Sequence, residues 1–356
     1  MPRRSAALNR NKLIKNKNLL KNLPQFITRI FTGGFKMPKI AILTSGGDSP
    51  GMNACIRACV RYAIYKDMDV YGVERGYKGL IDNDLTLMSS RSVSDIIQRG
   101  GTILHTARCP EFVDVEYQKQ AAETLRAYGI DSLVVIGGDG SFRGARALSD
   151  NCGINVVGIP GTIDNDLAYT DYTLGFDTSV NTVLWAMNAL RDTMGSHDRV
   201  SLLEVMGRNC GDIALYAAVS GGAEYVLVPE VPYDIDEIAA SIRFSQKRGK
   251  TSNMIILAEG AGNKDDICAR IKEKTGISVK TTTLGHIQRG GSPTMADRVL
   301  AAKFAVRAID LILAKKTNRV IGVKDNQIVD CDITEALDMP RTFDKELYEI
   351  AHVLSL

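Results

Sequence analysis

The chain has 356 residues, 45% hydrophobic and 24% charged, the make-up of a soluble globular protein large enough for two domains. No apolar run reaches the roughly 20 residues a transmembrane helix needs, which argues against a membrane partner. The net charge of +3 is uneven: nine basic and no acidic residues fall in Met1–Lys36, leaving 35 basic against 41 acidic residues elsewhere, a mildly acidic body that argues against nucleic acid.

Residues 1–36 lack the apolar core and small-residue cleavage site of a secretory signal. Their basic, acid-free composition fits either an organelle transit peptide or a disordered extension ahead of a protein that begins at Met37. The extension is the expected reading, because strand pattern starts within three residues of Met37. Seven scattered cysteines (55, 59, 109, 152, 210, 268 and 331) include no Cys-x-x-Cys pair, so reduced thiols in the cytoplasm are expected rather than a disulfide framework or a zinc site.

Lys39–Thr44 reads as a strand, and Ser45-Gly-Gly-Asp-Ser-Pro-Gly-Met-Asn53 as a glycine-rich turn opening a helix through Arg57 and Arg61. Val70–Glu74 is a second strand and Tyr117–Tyr128 a helix. The apolar run Leu133–Ile136 is a buried strand that stops at Gly137-Gly-Asp-Gly140, a turn into a helix predicted from Ser141 to Asp150. Backbone amides at such a turn favour a phosphate. Asp139 would repel one unless a cation accompanies it; otherwise this is a tight turn with a solvated Asp.

Asn155–Ile159 is the next strand, followed by Pro160-Gly-Thr-Ile-Asp-Asn-Asp166. If that loop is extended, Asp164 and Asp166 project to one side, where two acids need a shared proton or a metal and one of them can act as general base. A surface Asx-turn is the alternative. Strands at Val200–Val205, Tyr225–Val228, Met254–Ala258 and Thr281–Leu284 then alternate with helices at Thr178–Thr193, Gly211–Ser220, Asp236–Arg248, Asp265–Thr275 and Ala296–Leu313. The alternation predicts a doubly wound α/β protein with ligands at the strands' carboxyl ends.

Cations gather in this second half. Arg199, Arg208, His286 and Arg289 each flank or follow a predicted strand, and clustered they would grip a phosphate dianion, although each alone reads as a solvated surface charge. Glu259 ends the strand Met254–Ala258 and is suited to accept hydrogen bonds from sugar hydroxyls.

Thr44–Asn53, Ile136–Ser141, Pro160–Asp166, Glu204–Arg208 and Gly285-His-Ile-Gln-Arg-Gly-Gly-Ser-Pro293, in this order and spacing, resemble the bacterial-type 6-phosphofructokinase family from about Met37 to near residue 340. The resemblance implies two similar Rossmann-like three-layer domains with mostly parallel sheets and the active site in the cleft between them. Residues 37–175 plus about 288–338 would bind ATP, and 176–287 plus about 339–356 fructose 6-phosphate. The implied reaction moves the ATP γ-phosphoryl group to the sugar's 1-hydroxyl.

By position, Asp164 would be the base, with Thr162 and Asp166 beside it, and Asp139 would hold Mg²⁺. Gly47, Arg108, Cys109, Gly138, Gly140 and Ser141 would line the ATP site, with Arg108 steadying the transferring group. Met206, Gly207, Arg208 and Glu259 would hold the sugar, and Arg199, Lys280, His286 and Arg289 its 6-phosphate. Family members are homotetramers in which the residues matching Arg199 and Lys280 come from a neighbouring subunit.

Arg57, Arg61, Arg191, Glu224, Arg248 and Lys250 match residues that bind ADP or phosphoenolpyruvate as effectors, while Ser90 stands where an Arg is expected and Ser252 where some relatives have His. Lys280 itself replaces the more usual Arg. Pyrophosphate-using relatives carry Asp at position 140 and Lys at 161; both are Gly here, which implies ATP. The alternatives are the same enzyme using pyrophosphate, or a phosphate-sensing protein that kept the fold without catalysis; Asp139, Asp164 and Asp166 are all retained, against the latter.

Overall fold

The computed structural model describes residues 38–196, 200–250 and 252–355; the basic segment 1–36 and Arg199 lie outside them. The strands are β1 (Lys39–Thr44), β2 (Asp69–Val73), β3 (Leu85–Met88), β4 (Ser132–Gly137), β5 (Asn155–Pro160), β6 (Val200–Val205), β7 (Tyr225–Leu227), β8 (Asn253–Ala258), β9 (Val279–Thr283), β10 (Arg319–Lys324) and β11 (Gln327–Asp332). The helices are α1 (Met52–Tyr65), α2 (Tyr77–Ile81), α3 (Val115–Ala127), α4 (Asp139–Cys152), α5 (Phe176–Gly195), α6 (Asp212–Gly221), α7 (Ile235–Lys247), α8 (Lys264–Thr275), α9 (Met295–Leu313), α10 (Ile333–Asp338) and α11 (Lys345–Leu354).

Two sheets form. The first runs β11-β10-β5-β4-β1-β2-β3, parallel through its middle with an antiparallel strand at each edge; the second is the all-parallel β7-β8-β6-β9. Their central strands are apolar along the whole length, as strands covered on both faces must be: every residue of β4 and of β8 is buried. The two-residue side-chain period then sorts each strand between two cores. Ile40 and Ile42 pack with α1 and α9, whereas Ala41 and Leu43 pack with α3 and α4. In the second sheet Leu203 and Ile256 face α5 and α6, while Leu202 and Ile255 face α7 and α8. Helices therefore cover both faces of each sheet.

Three local readings are corrected. Helix α4 starts at Asp139 rather than Ser141, so Asp139 occupies its first turn. The last strand of the second sheet is Val279–Thr283, set by pairing with β6. The loop through Asp164 and Asp166 is not extended, because the intervening Asn165 is left-handed at φ 54°. The hairpin β10–β11 was legible but passed over: Asp325 and Asn326, at φ 48° and 63°, are the residue types a two-residue turn of this kind selects.

Candidate active site

β1 and β4 are neighbours, yet the chain leaves them toward opposite edges of the sheet. Such a reversal opens a crevice at the strands' carboxyl ends. Both glycine turns fall there, joined where Ser45 N donates to the Ile136 carbonyl (3.0 Å), and the Pro160–Asp166 loop is tied to the second of them where Gly161 N donates to the Gly137 carbonyl (2.9 Å). Helices α1 and α4 open from Gly51 and Gly138 with no side-chain cap, which leaves their N-termini suited to phosphate. Above them lies a cavity of about 1320 Å³ that brings together Gly47, Arg108, Cys109, Gly138, Asp139, Gly140, Ser141, Thr162, Asp164 and Arg289.

Asp139 is half-buried and forked by Arg143, which donates from Nε (2.7 Å) and Nη2 (3.2 Å). Arg143 was not singled out from the sequence, although its i,i+4 spacing from an acid on a helix is a readable signal. Tyr77 was also missed: its ring stacks on Phe112 at 4.2 Å and its hydroxyl donates to the Ser141 carbonyl (2.5 Å). No local pattern marks it, since it comes from α2, 64 residues away. The Cys109 thiol is pushed up to about 11, first by burial and then by Glu111, so it stays protonated at neutral pH.

Asp164 is the most perturbed acid of the cavity. Its backbone N–H donates to Thr162 Oγ1 (3.2 Å), but its Oδ1 is buried with no hydrogen-bond partner. Burial and then the Asp166 charge push its carboxyl up to about 6, while Arg289 and Arg208 pull it down. Asp166 is likewise raised by burial, but its charged neighbours are Asp139, Arg341 and Asp212. The turn at Asn165 thus gives the two acids different surroundings, and the extended loop on which the same-side expectation depended does not form. The acids within electrostatic reach of one another here offer only oxygen donors, the type a hard divalent cation such as Mg²⁺ takes.

The cationic half stands at the carboxyl ends of the second sheet. Glu259 N donates to Val205 O (2.9 Å), Gly260 N to Gly207 O (3.1 Å) and Leu284 N to Glu204 O (3.1 Å), so the segments after β6, β8 and β9 converge. Buried Gln288 fixes the turn Gly285–Arg289, accepting from Met206 N (3.3 Å) and donating to Gly285 O (3.0 Å). Met206 and Gly207 are buried, whereas Arg208, Glu259 and His286 are exposed. Arg289 reaches furthest: its Nη1 would lie 2.8 Å from a Cβ placed on Gly47. Gly260 is dictated by close approach, since a Cβ there would sit 1.8 Å from the Arg208 carbonyl.

Lys280 is not part of this convergence. It is exposed and pairs with Ser201, toward the amino end of β6, whereas Met206 and Arg208 follow the carboxyl end. Among the effector candidates, Glu224 meets Lys250 (3.3 Å) and Arg191 (4.0 Å), and Arg248 lies over Phe244. Arg57 and Arg61 stand apart from these on α1, which packs against α9. Ser90 is exposed, and its carbonyl accepts from the Ser94 hydroxyl; Ser252 is half-buried.

A phosphofructokinase family model matches residues 39–312. ATP-dependent 6-phosphofructokinases of Clostridium acetobutylicum and Clostridium tetani are 58% and 59% identical over 319 residues, 90% of this chain and 100% of each relative. Among solved structures, phosphofructokinase from Saccharomyces cerevisiae aligns at TM-score 0.80 and 34% identity over 89% of this chain; this chain spans 48% of that one. A pyrophosphate-dependent phosphofructokinase from Marinobacter aquaeolei, 21% identical at TM-score 0.78 over 87% of this chain and 86% of its own, shares the fold. With two doubly wound sheets, a glycine-lined crevice and these relatives, the chain belongs to the phosphofructokinase family.

Proposed function

We propose that this protein is an ATP-dependent 6-phosphofructokinase, transferring the γ-phosphoryl group of ATP to the 1-hydroxyl of fructose 6-phosphate and releasing fructose 1,6-bisphosphate and ADP. The observation that carries the reading is the unpartnered, buried Asp164 Oδ1 in a cavity lined by the glycine turns and by Arg108, Arg143 and Arg289. An acid held near neutrality without a protein partner is poised to accept a proton. A coupled assay for fructose 1,6-bisphosphate, run in parallel with ATP and with pyrophosphate, tests it; turnover with pyrophosphate alone would replace ATP as donor.

In the mechanism, Gly47, Gly138, Gly140 and Ser141 cradle the phosphates with backbone amides, with Cys109 lining the same cavity. Arg108 steadies the group in transit. Asp139 would hold Mg²⁺, which would offset the negative charge of the phosphates. The 1-hydroxyl gives its proton to Asp164 Oδ1 as its oxygen bonds to the γ-phosphorus, and the bond from phosphorus to the β–γ bridging oxygen breaks. Thr162 braces Asp164 from its backbone side, and Asp166 adds the negative charge that keeps it basic. Met206, Gly207, Arg208 and Glu259 hold the sugar, and His286 and Arg289 its 6-phosphate. The packing of α9 on α1 and of α11 on α6 supports assigning 37–175 plus about 288–338 to the nucleotide half and 176–287 plus about 339–356 to the sugar half.

The pH dependence follows from Asp164. A carboxyl near 6 is protonated below that pH and then cannot accept a proton, so kcat should fall about tenfold per unit below pH 6 and level off above it. A profile flat down to pH 5 would mean that another group takes the proton.

Lys280, remote from the convergence in its own chain, is read as serving the 6-phosphate of a neighbouring copy in a homotetramer, with Arg199. An ammonium cannot fork two phosphate oxygens as a guanidinium does. Lys280→Arg should therefore lower the apparent KM for fructose 6-phosphate by about tenfold, the scale of one charge-assisted hydrogen bond; an unchanged or higher KM would count against this role. Arg191, Glu224, Arg248 and Lys250, completed by Arg57 and Arg61 of a neighbouring copy, are read as an effector site for ADP or phosphoenolpyruvate in a cytoplasmic enzyme.

A further inference from the structure

Asn165, between the two acids of the catalytic loop, is buried, and both ends of its amide are hydrogen-bonded. Nδ2 donates to the Asp171 carbonyl (3.1 Å) and to Asp212 Oδ2 (3.1 Å), while Oδ1 accepts from Thr173 N (3.1 Å). Those contacts use both donors of the group and one lone pair of its oxygen. The Thr173 hydroxyl donates in turn to the Thr162 carbonyl (2.7 Å), which brings the network back to the residue that braces Asp164.

The far end of the network lies in the segment between α10 and α11. Arg341 donates from Nη2 to Asp212 Oδ1 and from Nη1 to Glu230 Oε1 (2.8 Å). Glu230 accepts from Gly211 N with both oxygens (2.9 and 3.1 Å), pinning the start of α6 where Asp212 stands. Cys210, Asp212 and Glu230 come close enough to hold a metal ion, but their carboxylate oxygens already serve Arg341, Asn165 and the Gly211 amide.

We propose that Asn165 and Arg341 are positioning residues for phosphoryl transfer, acting through the Asp212 carboxylate they share to hold the Asp164–Asp166 loop in its reactive shape. The proposal rests on Asp164 being the proton acceptor. Asp212 links a helix N-terminus, the catalytic loop and the C-terminal segment, so loosening either partner lets the loop swing without removing any group that touches a substrate. Such a change moves the rate of the chemical step and leaves ground-state binding in place.

The test uses the full chain with Asn165→Ala, Asn165→Gly, Arg341→Met, Arg341→Lys and the Asn165→Ala/Arg341→Met pair, each measured for kcat, both KM values and melting temperature, with Asp164→Asn as reference. Asn165→Ala should lower kcat by about 50-fold with both KM values within about threefold. Glycine tolerates the left-handed backbone, so Asn165→Gly should melt no lower than Asn165→Ala yet remain at least about tenfold slow, which assigns the effect to the side chain's bonds.

Arg341→Lys should recover part of the kcat lost in Arg341→Met, and the pair should lose about as much as the worse single variant, as residues acting through one carboxylate do. Parent-like kcat in either Asn165 variant, losses confined to KM, or fully multiplicative losses in the pair would overturn the proposal. Parent-like kcat in Asp164→Asn would overturn instead the assignment of the base. Should Arg341→Met fail to fold, Arg341→Lys against Asn165→Ala gives the same comparison.

Discussion

Asp164→Asn should lower kcat by about three orders of magnitude, the middle of the range a positioned general base contributes, while both KM values stay within about threefold. The amide matches the carboxylate in shape but has no basic lone pair to take the 1-hydroxyl proton. Arg208, Arg289 and Glu259, which would orient the sugar, are untouched. The fold should not suffer. The native Oδ1 is buried and lacks a partner, and the carboxylate's charge is disfavoured there, as the rise from 3.8 to about 6 records. Neutralising it should leave the melting temperature level or slightly raised. Steady-state kinetics and a thermal melt on the same preparation check both halves; retained turnover would mean that the proton goes elsewhere.

Gly140→Asp should cut kcat/KM for ATP by about 100-fold or more, again without cost to the fold. A Cβ at Gly140 meets nothing within 4 Å, and the position lies in the first turn of α4, where an added acid interacts favourably with the helix amides. That open space is where the nucleotide phosphates would lie. A second negative charge next to Asp139 raises the free energy of bound ATP by about 4 kcal/mol at 4 Å and an effective dielectric of 20, with Mg²⁺ and Arg143 offsetting part of it. At Gly161, which also lines the cavity, a Cβ would instead meet the buried Ile136 and Met52 side chains at 3.0 and 3.2 Å. Of the two glycines expected from the family resemblance to bear on donor choice, only Gly140 faces open space. ATP kinetics within about threefold of the parent in Gly140→Asp would refute a charge-excluding role for this glycine.

Much of the site was legible because its signals are local. Apolar runs ending in glycines mark strands that stop at turns suited to phosphate, and ten of the residues singled out from sequence line one cavity. The second half was legible only as a set of cations at strand ends. What escaped was whatever depends on partners distant in sequence: Tyr77 reaching the Ser141 carbonyl, and Arg341 reaching Asp212 across 129 positions. Pattern along a chain carries no record of such meetings.

By itself, then, the sequence determined the doubly wound architecture, the two glycine turns and the identity of the acids and arginines, because side-chain period, helix starts and backbone freedom act within a few residues. Only the tertiary structure decided that Asp164 and Asp166 have different surroundings, that Lys280 lies away from its own chain's convergence, and that Asp139 opens a helix beside Arg143. The left-handed Asn165, the register of β9 against β6 and the burial around each carboxylate come from packing between distant segments, and the proton affinity of an acid depends on the charges and solvent that packing leaves around it.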